Sequence, residues 1–121
     1  MRLFFALGLT FAIISTPALG ESKRELQFEN EKVKVWKTTI PPNDKLKMHR
    51  HDHARVIVGL QGGKLVKVEE TGEKSDLVFE TGKAYWFEKD PVGELHGDIN
   101  LSTKPIEVMV IEFKDHPSSS V

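Results

Sequence analysis

The chain has 121 residues and no cysteine, and its 17 Lys and Arg against 18 Asp and Glu leave a formal charge of −1 at neutral pH. That composition excludes a disulfide framework and thiolate ligation, so any metal-coordinating atoms are nitrogen or oxygen. Because the two signs are interspersed rather than clustered, it also provides no basic surface for nucleic acid.

Residues 1–20 read apart from the rest. Met1-Arg2 supplies a positive start, the run from Leu3 to Ile14 is mostly apolar, and Ser15 to Gly20 is small and turn-prone. This is the pattern of a secretory signal peptide, with Ala18 and Gly20 small enough for the peptidase and a mature start expected at Glu21. The apolar run is well short of the ~20 residues that a spanning helix needs. The expectation is therefore a periplasmic or secreted protein with no membrane contact after removal of the leader. It would consist of one domain over residues 21–115 and a disordered tail over 116–121.

From Leu26 onward the apolar pattern has the period of strands: Val33 and Val35 alternate with Lys32 and Lys34, and Val66 and Val68 with Lys67 and Glu69. Strands are expected near 26–29, 32–40, 46–50, 54–60, 64–70, 75–80, 84–88, 95–99 and 106–114. The breaks carry turn chemistry, at Pro41-Pro42-Asn43-Asp44, Gly62-Gly63, Glu70 to Glu73, Thr81-Gly82, Asp90-Pro91 with Gly93, and Ser102 to Pro105. Arg55 to Leu60 and Ile106 to Phe113, rich in β-branched residues, should wall the core. Short strands with turns at this spacing give an all-β sandwich or barrel.

The chemistry concentrates in Met48 to His53, where His49, His51 and His53 occupy alternate positions. On an extended strand all three project to one face. Imidazole donors gathered inside a protein are costly to leave unsatisfied, and a divalent transition metal satisfies them together. His96 joins them if the fold brings its segment alongside. The plainer reading is a set of surface histidines on a polar strand. For His53 three roles stand open: metal ligand, hydrogen-bond donor to a ligand residue, or loop corner.

Other residues have paired readings. Arg55 either turns inward to hold a carboxylate or phosphate of a bound ligand in a bidentate fork, or pairs with a neighbouring Glu at the surface. Tyr85-Trp86-Phe87 and Trp36 either wall a pocket or pack the core; Tyr85 shares a face with Phe87 and is the trio's candidate ligand contact. Glu94 shares strand parity with His96, as an acid near the site or as a solvated loop carboxylate. Pro91 and Gly93 shape the turn that presents His96, and Asn100 bonds backbone groups at the strand end.

Two segments together resemble the cupins, specifically small single-domain, type 2-like members. The first motif is matched by Asn43 at the opening turn, His49 and His51 at the paired histidines, and Gly62 at the closing glycine. The second, Pro-x-Gly-x-x-His-x-x-x-Asn, reads directly on Pro91, Gly93, His96 and Asn100, with Gly63 to Gly82 as a two-strand hairpin between them. The resemblance implies a double-stranded β-helix, or jelly-roll, barrel with a metal at its centre. It implies His49, His51 and His96 as ligands of Fe, Mn, Ni, Cu or Zn. The chain departs from the pattern at the carboxylate: where the family has Glu, it has Arg55, with Val56 at the alternative spacing. The fourth ligand is thus open, and His53 has the parity to supply it.

The resemblance leaves three functions: a binder of metal and a small ligand, a metal-dependent dioxygenase or isomerase, and a metal-free structural or ligand-binding barrel. Cupin-like barrels often pair through edge strands, which makes the strand at 26–29 the candidate contact of a homodimer.

Overall fold

The computed structural model describes residues 22–115. The expected leader, the mature start at Glu21, the tail and His116 lie outside the described residues. Within them the chain forms nine strands and no helix: β1 (Lys23–Glu29), β2 (Val33–Ile40), β3 (Lys45–His49), β4 (Arg55–Gln61), β5 (Gly63–Glu69), β6 (Lys74–Phe79), β7 (Ala84–Phe87), β8 (His96–Asn100) and β9 (Ile106–Phe113). Each expected strand is present. The largest difference is at β1, which begins at Lys23 rather than Leu26. All its residues are exposed, so backbone pairing with β2 defines it and no burial pattern announces its start.

The strands form two antiparallel sheets, ordered β1-β2-β9-β4-β7 and β3-β8-β5-β6. Their inner faces enclose a core of Ile40, Ile57, Leu65, Phe79, Ile106 and Val108. Here β2, β4, β5, β6 and β9 contribute the branched and aromatic side chains that suit a pleated, half-buried surface. The expected hairpin from Gly63 to Gly82 is β5 paired with β6. Gly62 precedes it where a Cβ would collide with the carbonyl of Phe79, so only glycine fits.

Two features of the second sheet position the site. First, the start of β3 is tied to the end of β8. Asn43 takes a left-handed turn conformation (φ 63°) and its N–H donates to the Asn100 carbonyl at 2.6 Å, while the Asn100 N–H donates to the Asp44 carbonyl at 3.0 Å. The fully buried Asn100 amide also donates to the carbonyls of Ile40 (2.9 Å) and Lys104 (2.8 Å).

Second, β3 carries a bulge. Leu46 faces Asp98 and His49 faces His96, so two residues, Lys47 and Met48, stand opposite Gly97 alone. An extra residue reverses which side chains point inward beyond it. Leu46 packs on the core before the bulge, and His49 turns inward after it.

Candidate metal centre

His49 and His96 sit directly opposite each other across β3 and β8, with ring centroids 4.6 Å apart. His51 lies beyond the end of β3 yet reaches the same point, its ring 4.7 Å from His49 and 5.4 Å from His96. One ring nitrogen from each of the three lies within 4.8 Å of the others.

Other contacts hold two of these residues in place. His49 Nδ1 donates to the Lys47 carbonyl at 2.6 Å, which places its proton there and leaves the Nε2 lone pair facing His51. The two Nε2 atoms are 3.0 Å apart. That matches the separation of about 3 Å between neighbouring donors on one ion with bonds of ~2.1 Å. His51 is held through its backbone: its N–H donates to Asp90 Oδ2 at 2.7 Å and its carbonyl accepts from the Asp90 N–H at 2.8 Å. The same Asp90 oxygen stands 3.6 Å from His96 Nδ1. Arg50 reinforces the junction by donating to the carbonyls of Pro91 (3.0 Å) and Asp90 (3.1 Å) and by pairing with Asp52.

Burial, followed by the charges of Arg55 and His49, pushes the His51 imidazolium down to about 3. Burial also lowers His96, against the pull of Asp98. Both rings are thus kept uncharged at neutral pH, the form that ligates metal. The donor set fits a divalent transition metal: nitrogen atoms, converging, with the opposite ring nitrogen of His49 bonded to the Lys47 carbonyl.

His53 does not join the cluster. β3 ends at His49, so strand parity does not extend past the bend near Asp52, and His53 Nδ1 points instead toward Asp115 Oδ2, 3.6 Å away. It does not supply the fourth ligand that its spacing suggested.

Arg55 is not in a surface ion pair. It is 6% exposed on β4, on the same face as the core residue Ile57. Its guanidinium lies over the Phe87 ring (5.1 Å), Nη1 donates to the Glu88 carbonyl at 3.4 Å, and Nε has no partner. Burial lowers its pKa against the fields of Asp90, Asp98 and Glu112. Among the described residues no carboxylate forms an ion pair with it, so the buried cation faces the cavity with donors to spare.

Tyr85 does not line that cavity. Its hydroxyl accepts from the Glu80 N–H at 2.8 Å and its ring packs edge-on against Phe79. Phe87 does line it, while Trp86 is 56% exposed on the opposite face and Trp36 lies half-buried beneath Arg24 and Lys34. Glu94 is exposed in the loop before β8.

Two acids stand where no role was expected. Asp98 is buried on β8, with Oδ2 3.7 Å from His49 Nε2 and 3.9 Å from His96 Nε2, and burial raises its pKa. It sits two positions past His96, so the parity that brought Glu94 into consideration also marks Asp98 in the other direction. Asp90 lies between β7 and the Pro91 motif, and only the fold reveals its contacts.

The cavity these residues share has a volume of about 550 Å3. Its lining joins the core side chains Ile40, Ile57, Leu65, Phe79 and Val108 to the three histidines, Arg55, Asp90 and Asp98. An apolar wall with a few convergent polar groups is the character of a small-molecule site.

No protein-family model matches the chain, and no curated protein matches it. Solved structures do. A cupin domain from Bordetella pertussis Tohama I is 26% identical and superposes with a TM-score of 0.70, over 83% of this chain and 100% of that one. A double-stranded β-helix protein from Klebsiella pneumoniae is 19% identical, with a TM-score of 0.60 over 82% of this chain and 77% of that one. The polyketide cyclase RemF from Streptomyces resistomycificus is 15% identical, with a TM-score of 0.54 over 88% and 83%. With its two antiparallel sheets and these neighbours, the chain has the all-β cupin fold, a double-stranded β-helix barrel.

Proposed function

We propose that this is an exported cupin that holds a divalent transition metal on His49, His51 and His96 and takes a small anionic molecule against Arg55. The observation that carries the metal is the convergence of three imidazoles from two distant segments in one cavity, two of their nitrogens 3.0 Å apart. The anion is supported by the buried guanidinium with an unpartnered Nε. Fe, Mn, Ni, Cu and Zn all suit such nitrogen donors. The export half of the proposal rests on the composition of Met1 to Gly20.

A second reading is catalytic, as a dioxygenase or isomerase acting on a small oxygenated substrate. It is favoured by the cavity, whose volume of about 550 Å3 holds a small molecule beside the histidines. A bound metal would supply a Lewis acid or redox centre there. The chain's own residues would orient the substrate through Arg55 and shield it with the apolar wall.

The test is elemental analysis of protein purified from the periplasm without a histidine tag, followed by titration with Mn, Fe, Ni and Zn. One metal per chain is expected, lost in His96→Ala. Absence of metal together with no uptake rejects both readings. Turnover of phenols, sugars or keto acids separates enzyme from binder.

A further inference from the structure

We propose that Asp98 is the carboxylate ligand of this centre, replacing from β8 the acid that β4 lacks because Arg55 stands in its place. The inference rests on the metal reading above and extends it to a residue outside the histidine set.

Four observations converge on Asp98. Its side chain is only 9% exposed, and Oδ1 is buried with no hydrogen-bond partner. A buried carboxylate oxygen without a donor is a costly arrangement that a cation relieves. Its other oxygen faces the Nε2 atoms of both His49 and His96, at 3.7 and 3.9 Å. Donors bound at ~2.1 Å to one ion lie about 3 to 3.4 Å apart, so a small side-chain rotation closes the set.

The lysine that faces Asp98 across β5 and β8, Lys67, does not neutralise it, because its ammonium goes to Glu69 at 3.1 Å. Finally, Asp98 is placed by the same register that places His96: both lie on the inner face of β8, and the bulge in β3 sets Leu46 and His49 opposite them.

The relocation also answers the charge problem posed by Arg55. A divalent ion beside a buried guanidinium is a repulsive pair, and a carboxylate whose field reaches the guanidinium offsets part of that repulsion. The resulting centre has three nitrogens and one oxygen, a set that accommodates Mn and Fe as well as Zn.

The experiment is calorimetric titration of Zn2+ and Mn2+ into the metal-free full chain and into Asp98→Asn, Asp98→Glu and Glu94→Gln, with the melting temperature of each metal-free form. For Asp98→Asn, binding should weaken by more than the ~100-fold that loss of an outer-shell partner costs, while the metal-free melting temperature holds or rises. Asp98→Glu should recover part of the affinity, and Glu94→Gln should match wild type.

A second readout does not depend on folding of the Asn variant. In protein labelled with 13C-aspartate, metal addition should shift a labelled carboxylate band in the infrared difference spectrum, and the shift should be missing from Asp98→Glu. Wild-type affinity in Asp98→Asn, a melting temperature that falls in step with affinity, or an unshifted band overturns the role of Asp98 and leaves the histidine site standing. Failure of the wild type to bind either ion overturns both.

Discussion

Asp90 grips His51 at two points, accepting its N–H at 2.7 Å on Oδ2 and returning its own N–H to the His51 carbonyl at 2.8 Å. His51 has left the strand that carries His49, so no sheet register holds it. The clasp takes over that work, and because Asp90 directly precedes the Pro91 motif, it joins the two histidine-bearing segments.

Asp90→Ala should therefore weaken metal binding by about 10- to 100-fold, the usual cost of losing an outer-shell partner. Asp90→Asn keeps an acceptor for the His51 N–H and should lose less. Competition titration against a chelator of known affinity measures both. Equal affinity in wild type and Asp90→Ala would show that His51 needs no clasp.

In the metal-free protein, stability should fall on acidification. His51 has its pKa lowered from 6.5 to about 3, so between those values the unfolded chain binds a proton that the folded chain refuses. His96 is lowered too and acts in the same direction, whereas Asp98 is raised and acts in the opposite one. The stability contributed by keeping the rings neutral is thus complete above pH 6.5 and declines toward pH 3. A shift of this size is worth on the order of a few kcal/mol. Melting temperatures of chelator-treated protein from pH 7 to pH 4 should drop, and His51→Gln should flatten the curve. A profile unchanged by that substitution would contradict the assignment.

Arg55 should couple anion and metal. An anion between the guanidinium and the ion attracts both, so each raises the affinity of the other by the same factor. Acetate or oxalate should strengthen Zn2+ binding on the order of 10-fold in wild type and hardly at all in Arg55→Met. With no anion added, Arg55→Met should bind the ion more tightly than wild type, because a repulsive neighbour is gone. Titrations with and without the anion give both numbers.

Gly97 should be intolerant of a side chain. An added Cβ would meet the Leu46 carbonyl and Met48 Sδ, each at 3.2 Å, so the bulged segment would have to move. Gly97→Ala is expected to cost about 1–3 kcal/mol in urea denaturation, with a larger fractional loss of metal affinity than an equal destabilisation elsewhere. Gly72→Ala makes the comparison: alanine is strained at that position's positive φ, but nothing crowds it.

Much of this was readable along the chain. Turn chemistry marks the strand ends because glycine, proline and Asn-Asp pairs act locally, and the nine strands follow from it. Arg55 shares its strand parity with Ile57, which is enough to turn it inward, although a charge in that position invites a surface reading. Asp98 obeys the same rule relative to His96. What local pattern does not carry is register between distant segments. His53 has the spacing of a ligand but loses the strand beneath it, and Asp90 gains its role from a loop lying 39 residues away along the chain from His51. The bulge in β3 belongs here too, since nothing in Lys47-Met48 announces that two residues will share one partner.

That bulge makes the identity of the inward side chain a matter of counting. Pair the same segment without its bulge, Lys47 against Gly97 and Met48 against His96, and the ladder regularises, but a ring that now looks into the barrel would look out of it. The fold would survive a change to which the chemistry is acutely sensitive. In barrels of this architecture, how a strand is paired up to its first histidine is therefore as informative as the histidine itself, and comparisons that align residues while ignoring a one-residue bulge will mistake an empty barrel for a loaded one.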